Sequence, residues 1–138
     1  MRSRVNACAV GAAVCLALLS GSMSAQAQSG GKEAIAKVEF QFEVGDKTLP
    51  SGTYRVSQPV AGMGGVTIRA VEGDAKVTVP VITRLARTNN AARDSQTIMV
   101  FDKVGDKSYL SEVWIPGQDG FLVRGTTEEH KHAVVTGK

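Results

Sequence analysis

From residue 38 onward the chain is written largely in a two-residue rhythm. Val38-Glu39-Phe40-Gln41-Phe42-Glu43-Val44 alternates without error, so Val38, Phe40, Phe42 and Val44 share one face of an extended segment and the polar residues take the other. Val66 to Val71 and Lys76 to Ile82 alternate in the same way, and Pro80, which cannot donate to a ladder, marks the second of these as an edge or bulged strand. Gln96 to Phe101 and Ser108 to Ile115 are rich in β-branched, aromatic and aliphatic residues, and Phe121 to Arg124 reads as a short closing strand.

Between these segments lie tight-turn signals. Gly-Asp recurs at Gly45-Asp46, Gly73-Asp74 and Gly105-Asp106, Leu49-Pro50-Ser51-Gly52-Thr53 adds a Pro-x-Gly turn, and Pro116-Gly117-Gln118-Asp119-Gly120 precedes the last strand. Six to eight short strands joined this way predict an all-β protein, an antiparallel sandwich or small barrel. Residues 38–124 form that domain. Residues 125–138 read as a tail in which Thr126-x-x-Glu129 could cap a short C-terminal helix.

The N-terminus follows a different pattern. Met1-Arg2-Ser3-Arg4, an apolar run from Val5 to Leu19 broken only by Asn6, and Ala25-Gln26-Ala27 together have the layout of a secretory signal, with cleavage between Ala27 and Gln28. Residues 28–37 then form a flexible lead. Export would deliver the protein to the periplasm or the extracellular space with no membrane span after processing. Cys8 and Cys15 both fall in the signal, so the processed chain has no thiol for a disulfide, a nucleophile or a zinc ligand.

Processing also changes the charge. The 138-residue chain carries 16 Lys and Arg against 13 Asp and Glu. Losing Arg2 and Arg4 leaves 14 against 13 and removes the basic excess expected of a nucleic-acid-binding domain. What remains is local: Thr83 to Ser95 is a long connection whose residues 83–92 contain no acid, and Arg84, Arg87 and Arg93 lie in it as candidate contacts for an anion or an acidic partner.

Candidate chemistry is sparse. His130 and His132 are the only histidines; on a strand they would share a face, but with no other His or Cys to complete a closed site they are weak metal candidates, and no metal or cofactor is expected. A tail offers no rigid imidazole for a Ser-His-Asp arrangement, and no Walker, Gly-x-Ser-x-Gly or Gly-x-Gly-x-x-Gly motif is present. Leu110 and Trp114 fall on one alternation of the Ser108 to Ile115 strand and would form an apolar strip if that face points outward.

The strings Phe42-Glu43-Val44-Gly45-Asp46-Lys47-Thr48-Leu49-Pro50-Ser51-Gly52-Thr53-Tyr54 and Phe101-Asp102-Lys103-Val104-Gly105-Asp106-Lys107-Ser108-Tyr109-Leu110-Ser111-Glu112-Val113-Trp114 resemble a family of small exported β proteins abundant in Acidobacteria-type soil bacteria. The resemblance implies a secreted β protein without an assigned catalytic site. The sequence therefore predicts an exported, non-catalytic structural or interaction module with a protein, glycan or small ligand as partner. A small-ligand or glycan binder is the first alternative and a carboxylate hydrolase the second.

Overall fold

The computed structural model describes residues 33–58, 64–87 and 94–138. These residues form two antiparallel sheets packed face to face, with no closed barrel. The four-stranded sheet has the order β1 (Glu33–Val38), β4 (Gly52–Ser57), β5 (Gly65–Ala70) and β6 (Lys76–Pro80). The larger sheet runs β11 (Lys131–Gly137), β8 (Thr97–Val104), β9 (Lys107–Trp114), β10 (Gly120–Leu122) and β7 (Thr83–Leu85). A hairpin of β2 (Phe42–Val44) and β3 (Lys47–Leu49) joins the larger sheet where Glu43 of β2 pairs in parallel with Tyr109 of β9.

Alternation explains the core. Ala34, Ala36 and Val38, then Tyr54 and Val56, Val66 and Ile68, and Val77 and Val79 point inward from the small sheet. Met99, Phe101, Leu110, Val113 and Phe121 meet them from the large one. At the centre Phe42 packs edge-on against both Tyr54 and Phe101, with ring centroids 5.1 and 5.2 Å apart.

The sheets also meet at two corners. The chain leaves β6, passes through Val81 and Ile82 and enters β7 in the other sheet, and the Ile82 N–H donates to the Leu122 carbonyl. At the opposite corner β1 and β11 approach so closely that a Cβ on Gly137 would collide with the Ile35 carbonyl. Gly45 and Gly105 sit at φ +60° and +62° in two-residue loops closing the β2–β3 and β8–β9 hairpins, the left-handed conformation the Gly-Asp signals require.

Three expectations need correction. The errorless pattern of residues 38–44 is not one strand: β1 ends at Val38 and β2 begins at Phe42 in the other sheet, while Val38, Phe42 and Val44 all still face the core. Alternation records which side faces inward and is blind to a change of sheet. The lead over residues 28–37 is too long, because β1 begins at Glu33, its inward positions being the small Ala34 and Ala36. The C-terminal segment is a strand and not a helix. Thr126 Oγ1 accepts from the Glu128 N–H, two residues on, which shapes a turn, and β11 then pairs with β8 along its whole length.

Candidate functional site

β9 organises the outer face of the large sheet through one irregularity. Phe101 pairs with Leu110 and Val100 with Glu112, so Ser111 is an extra residue, a β-bulge. The bulge shifts the alternation by one. Leu110, Val113 and Ile115 point into the core, while Tyr109, Glu112 and Trp114 lie on the outer side. The predicted Leu110/Trp114 strip therefore does not exist: Leu110 is 1% exposed in the core, and Trp114 is half-buried, with its Nε1 donating to Glu112 Oε2 at 3.0 Å. The Trp114 ring lies across Gly120 of β10, where even a methyl group would be only 2.7 Å from it.

The bulge has a second consequence. The Ser111 carbonyl, freed from the ladder, accepts from the N–H groups of Val123 and Arg124, and Ser111 Oγ donates to the Arg124 carbonyl at 3.0 Å. This anchors the start of the connection from β10 to β11, which must cross both β9 and β8. The Arg124 guanidinium settles over the Tyr109 ring, 4.0 Å from its centroid.

Beneath this connection lies Asp102. On β8 the outward residues are Ile98, Val100 and Asp102, all buried, and the Asp102 side chain is 2% exposed. Arg124, His130 and His132 converge on it. Arg124 Nη1 is 3.9 Å from Oδ2, His130 Nε2 is 3.8 Å from Oδ1, and His132 Nδ1 is 3.1 Å from Oδ1. None of these makes a hydrogen bond: Asp102 Oδ1 and Arg124 Nη1 are the buried side-chain polar atoms left without a partner among the described residues. Buried polar atoms are nearly always paired, and two exceptions in one cluster mark it out.

The imidazoles are held in place. His132 pairs with Asp102 across the β11–β8 ladder. His130 Nδ1 lies 2.7 Å from the Glu128 carbonyl oxygen, which can only accept, so Nδ1 carries the hydrogen and Nε2 is the atom turned toward Asp102. The two rings meet edge to face at 4.8 Å.

The basic connection divides. Arg87 is a clamp: its Nε donates to the Gln118 carbonyl at 2.6 Å, Nη2 to the Ile115 carbonyl at 2.8 Å and Nη1 to Asp94 Oδ1 at 2.6 Å. It is thus committed to holding loops together, unlike the free anion contact expected of it. Arg84 is exposed on β7, with its guanidinium 5.8 Å from the Phe121 ring centroid. Arg93, like Ala27 and Gln28 at the expected cleavage site, lies outside the described residues.

The structure thus gathers His130 and His132 around Asp102, Arg124 and Tyr109, residues that sequence reasoning did not single out. Asp102 carried one faint signal, an acid in phase with Ile98 and Val100 on an otherwise apolar strand. Comparisons of the chain with protein-family profiles, characterised proteins and solved structures gave no match.

Proposed function

We propose that the protein is an exported, non-catalytic β-sandwich module of the envelope or extracellular space, working by binding rather than turnover. The observation that supports this best is the cover over Asp102. A carboxylate only 2% exposed beneath Arg124, His130 and His132 is out of reach of a substrate-sized group, yet it can meet a small ion or fix the residues above it. The faces between the sheets are occupied by the Phe42, Tyr54 and Phe101 cluster, which favours a ligand on the outer surface over one in the core. Export rests on the arginine start, apolar run and Ala25-Gln26-Ala27 of the N-terminus.

Expression of the full chain in a Gram-negative host, followed by mass measurement of each fraction, tests the export half. The expected product begins at Gln28 and lies outside the cytoplasm; an intact chain retained in the cytoplasm overturns it. For the other half, incubation with peptide, ester and cell-wall glycan substrates is expected to give no turnover. Hydrolysis that Asp102→Asn abolishes would overturn the non-catalytic reading.

A further inference from the structure

We propose that Asp102, His130 and His132 form a binding site for a divalent first-row transition ion of the zinc and copper class, with Asp102 Oδ1, His130 Nε2 and His132 Nδ1 as ligands. The inference rests on the reading of this cluster as a binding site and does not depend on export.

Four observations converge. The three ligand atoms lie within 4.8 Å of one another, and Oδ1 is 3.1 and 3.8 Å from the two nitrogens. Ligands about 2.1 Å from a tetrahedral ion stand about 3.4 Å apart, so the two oxygen–nitrogen spacings bracket what an ion would impose, and the two nitrogens close toward each other on binding. Secondly, Oδ1 is buried and has no hydrogen-bond partner, although it faces two imidazoles. Thirdly, the His130 Nδ1 contact with the Glu128 carbonyl turns the Nε2 lone pair toward a carboxylate oxygen. In the neutral ring two acceptors then face each other and repel, and a cation between them removes the conflict; a backbone carbonyl holding the far side of a ligating imidazole is the usual supporting contact. Finally, the backbone fixes the donors: Asp102 and His132 are paired across a ladder, and His130 is held by its own turn.

Arg124 takes part as an orienting residue. Its guanidinium, stacked on Tyr109, faces Oδ2 and leaves Oδ1 to the imidazoles. Two nitrogens and one oxygen suit zinc, nickel or copper better than the all-oxygen shells of calcium or magnesium. With His132 56% exposed, the fourth position opens to solvent, where water or a donor from another molecule can complete the shell.

The test uses untagged protein purified from an exporting host, stripped with chelator and titrated with Co2+ followed by visible absorption, then with Zn2+ by calorimetry and thermal melting. One ion per chain is expected, with a tetrahedral or five-coordinate cobalt spectrum and a rise in melting temperature on zinc addition. His130→Gln combined with His132→Gln should abolish uptake, and Asp102→Asn should weaken it tenfold or more, while circular dichroism of the stripped variants stays that of the parent. Absence of uptake by the parent overturns the site, as does uptake that survives the double histidine change or is indifferent to Asp102→Asn. If a variant fails to fold, His132→Gln alone, at a half-exposed position, must still weaken uptake tenfold. Cytoplasmic retention or turnover would defeat the proposed function and leave these outcomes untouched.

Discussion

Arg87→Met separates a structural arginine from a surface one and can be worked through in numbers. The substitution keeps much of the aliphatic stem and removes the guanidinium, leaving the Gln118 carbonyl without its donor, taking one of two donors from the Ile115 carbonyl, which keeps the Gln118 N–H, and ending the Asp94 contact. A hydrogen bond to a charged group contributes roughly 1.5–3 kcal/mol, toward the lower figure where water can substitute. The Ile115 carbonyl keeps the Gln118 N–H, so its loss is partial, while the Arg87 side chain is only 17% exposed and its bond to the Gln118 carbonyl is poorly replaced by water. The Asp94 carboxylate is 42% exposed, and its share of the ion pair falls in the range of about 0–1 kcal/mol. About 1.5–3 kcal/mol for the Gln118 bond, a smaller loss at Ile115 and about 0–1 kcal/mol from Asp94 sum to about 2–4 kcal/mol for Arg87→Met, a large part of the roughly 5–15 kcal/mol that holds a typical domain together. Urea unfolding followed by tryptophan fluorescence reads this directly, since Trp114 lies next to Ile115. Arg84→Met is the control, expected to change stability by less than about 0.5 kcal/mol because Arg84 is exposed. An Arg87→Met cost below about 0.5 kcal/mol, or one equal to that of Arg84→Met, would refute the clamp.

Other outcomes follow from the same structure. Leu110→Ala should cost about 2–5 kcal/mol as a core cavity, and Trp114→Ala should cost less because the indole lies on the outer face and is only partly buried; denaturant titration that reversed this order would contradict the bulge at Ser111. Burial raises the Tyr54 phenol above the usual tyrosine range, and its hydroxyl donates to the Pro50 carbonyl at 2.6 Å. The unfolded chain therefore ionises first, and the associated stability is present below about pH 10 and lost as pH climbs through the folded value. Tyr54→Phe should cost about 1 kcal/mol at pH 8 and lose less further stability than the parent between pH 9 and 11, as measured by urea midpoints at each pH.

Much of the fold was legible because alternation is a local property. Val66 to Val71 and Lys76 to Ile82 became β5 and β6 nearly as read, and Gly45-Asp46 and Gly105-Asp106 close hairpins. Gly73-Asp74 lies in a longer loop, with the Ala70 N–H donating to the Ala75 carbonyl. What escaped was non-local. Nothing in Phe42-Glu43-Val44 says that β2 has changed sheets, and nothing in Leu110-Ser111-Glu112 announces an extra residue that depends on the partner strand β8. β11 was hidden because its apolar run is only Ala133 to Val135, of which Ala133 and Val135 pack on the core, and its partner β8 is reached only through the long connection from β10. The cluster escaped for the same reason. Asp102 and His132 are thirty residues apart in sequence and become neighbours only through that pairing.

The central claim, that a buried carboxylate and two held imidazoles make one ion site, is open to a direct measurement. Long-range proton–nitrogen NMR of the imidazoles, recorded on stripped protein and after one equivalent of Zn2+, reports on both rings. Neutral His130 is expected to carry its hydrogen on Nδ1 before zinc, and zinc is then expected to shift His130 Nε2 and His132 Nδ1 together in slow exchange, ending at one equivalent. Imidazole resonances that do not move, or that drift with excess zinc through other nitrogens, would contradict it.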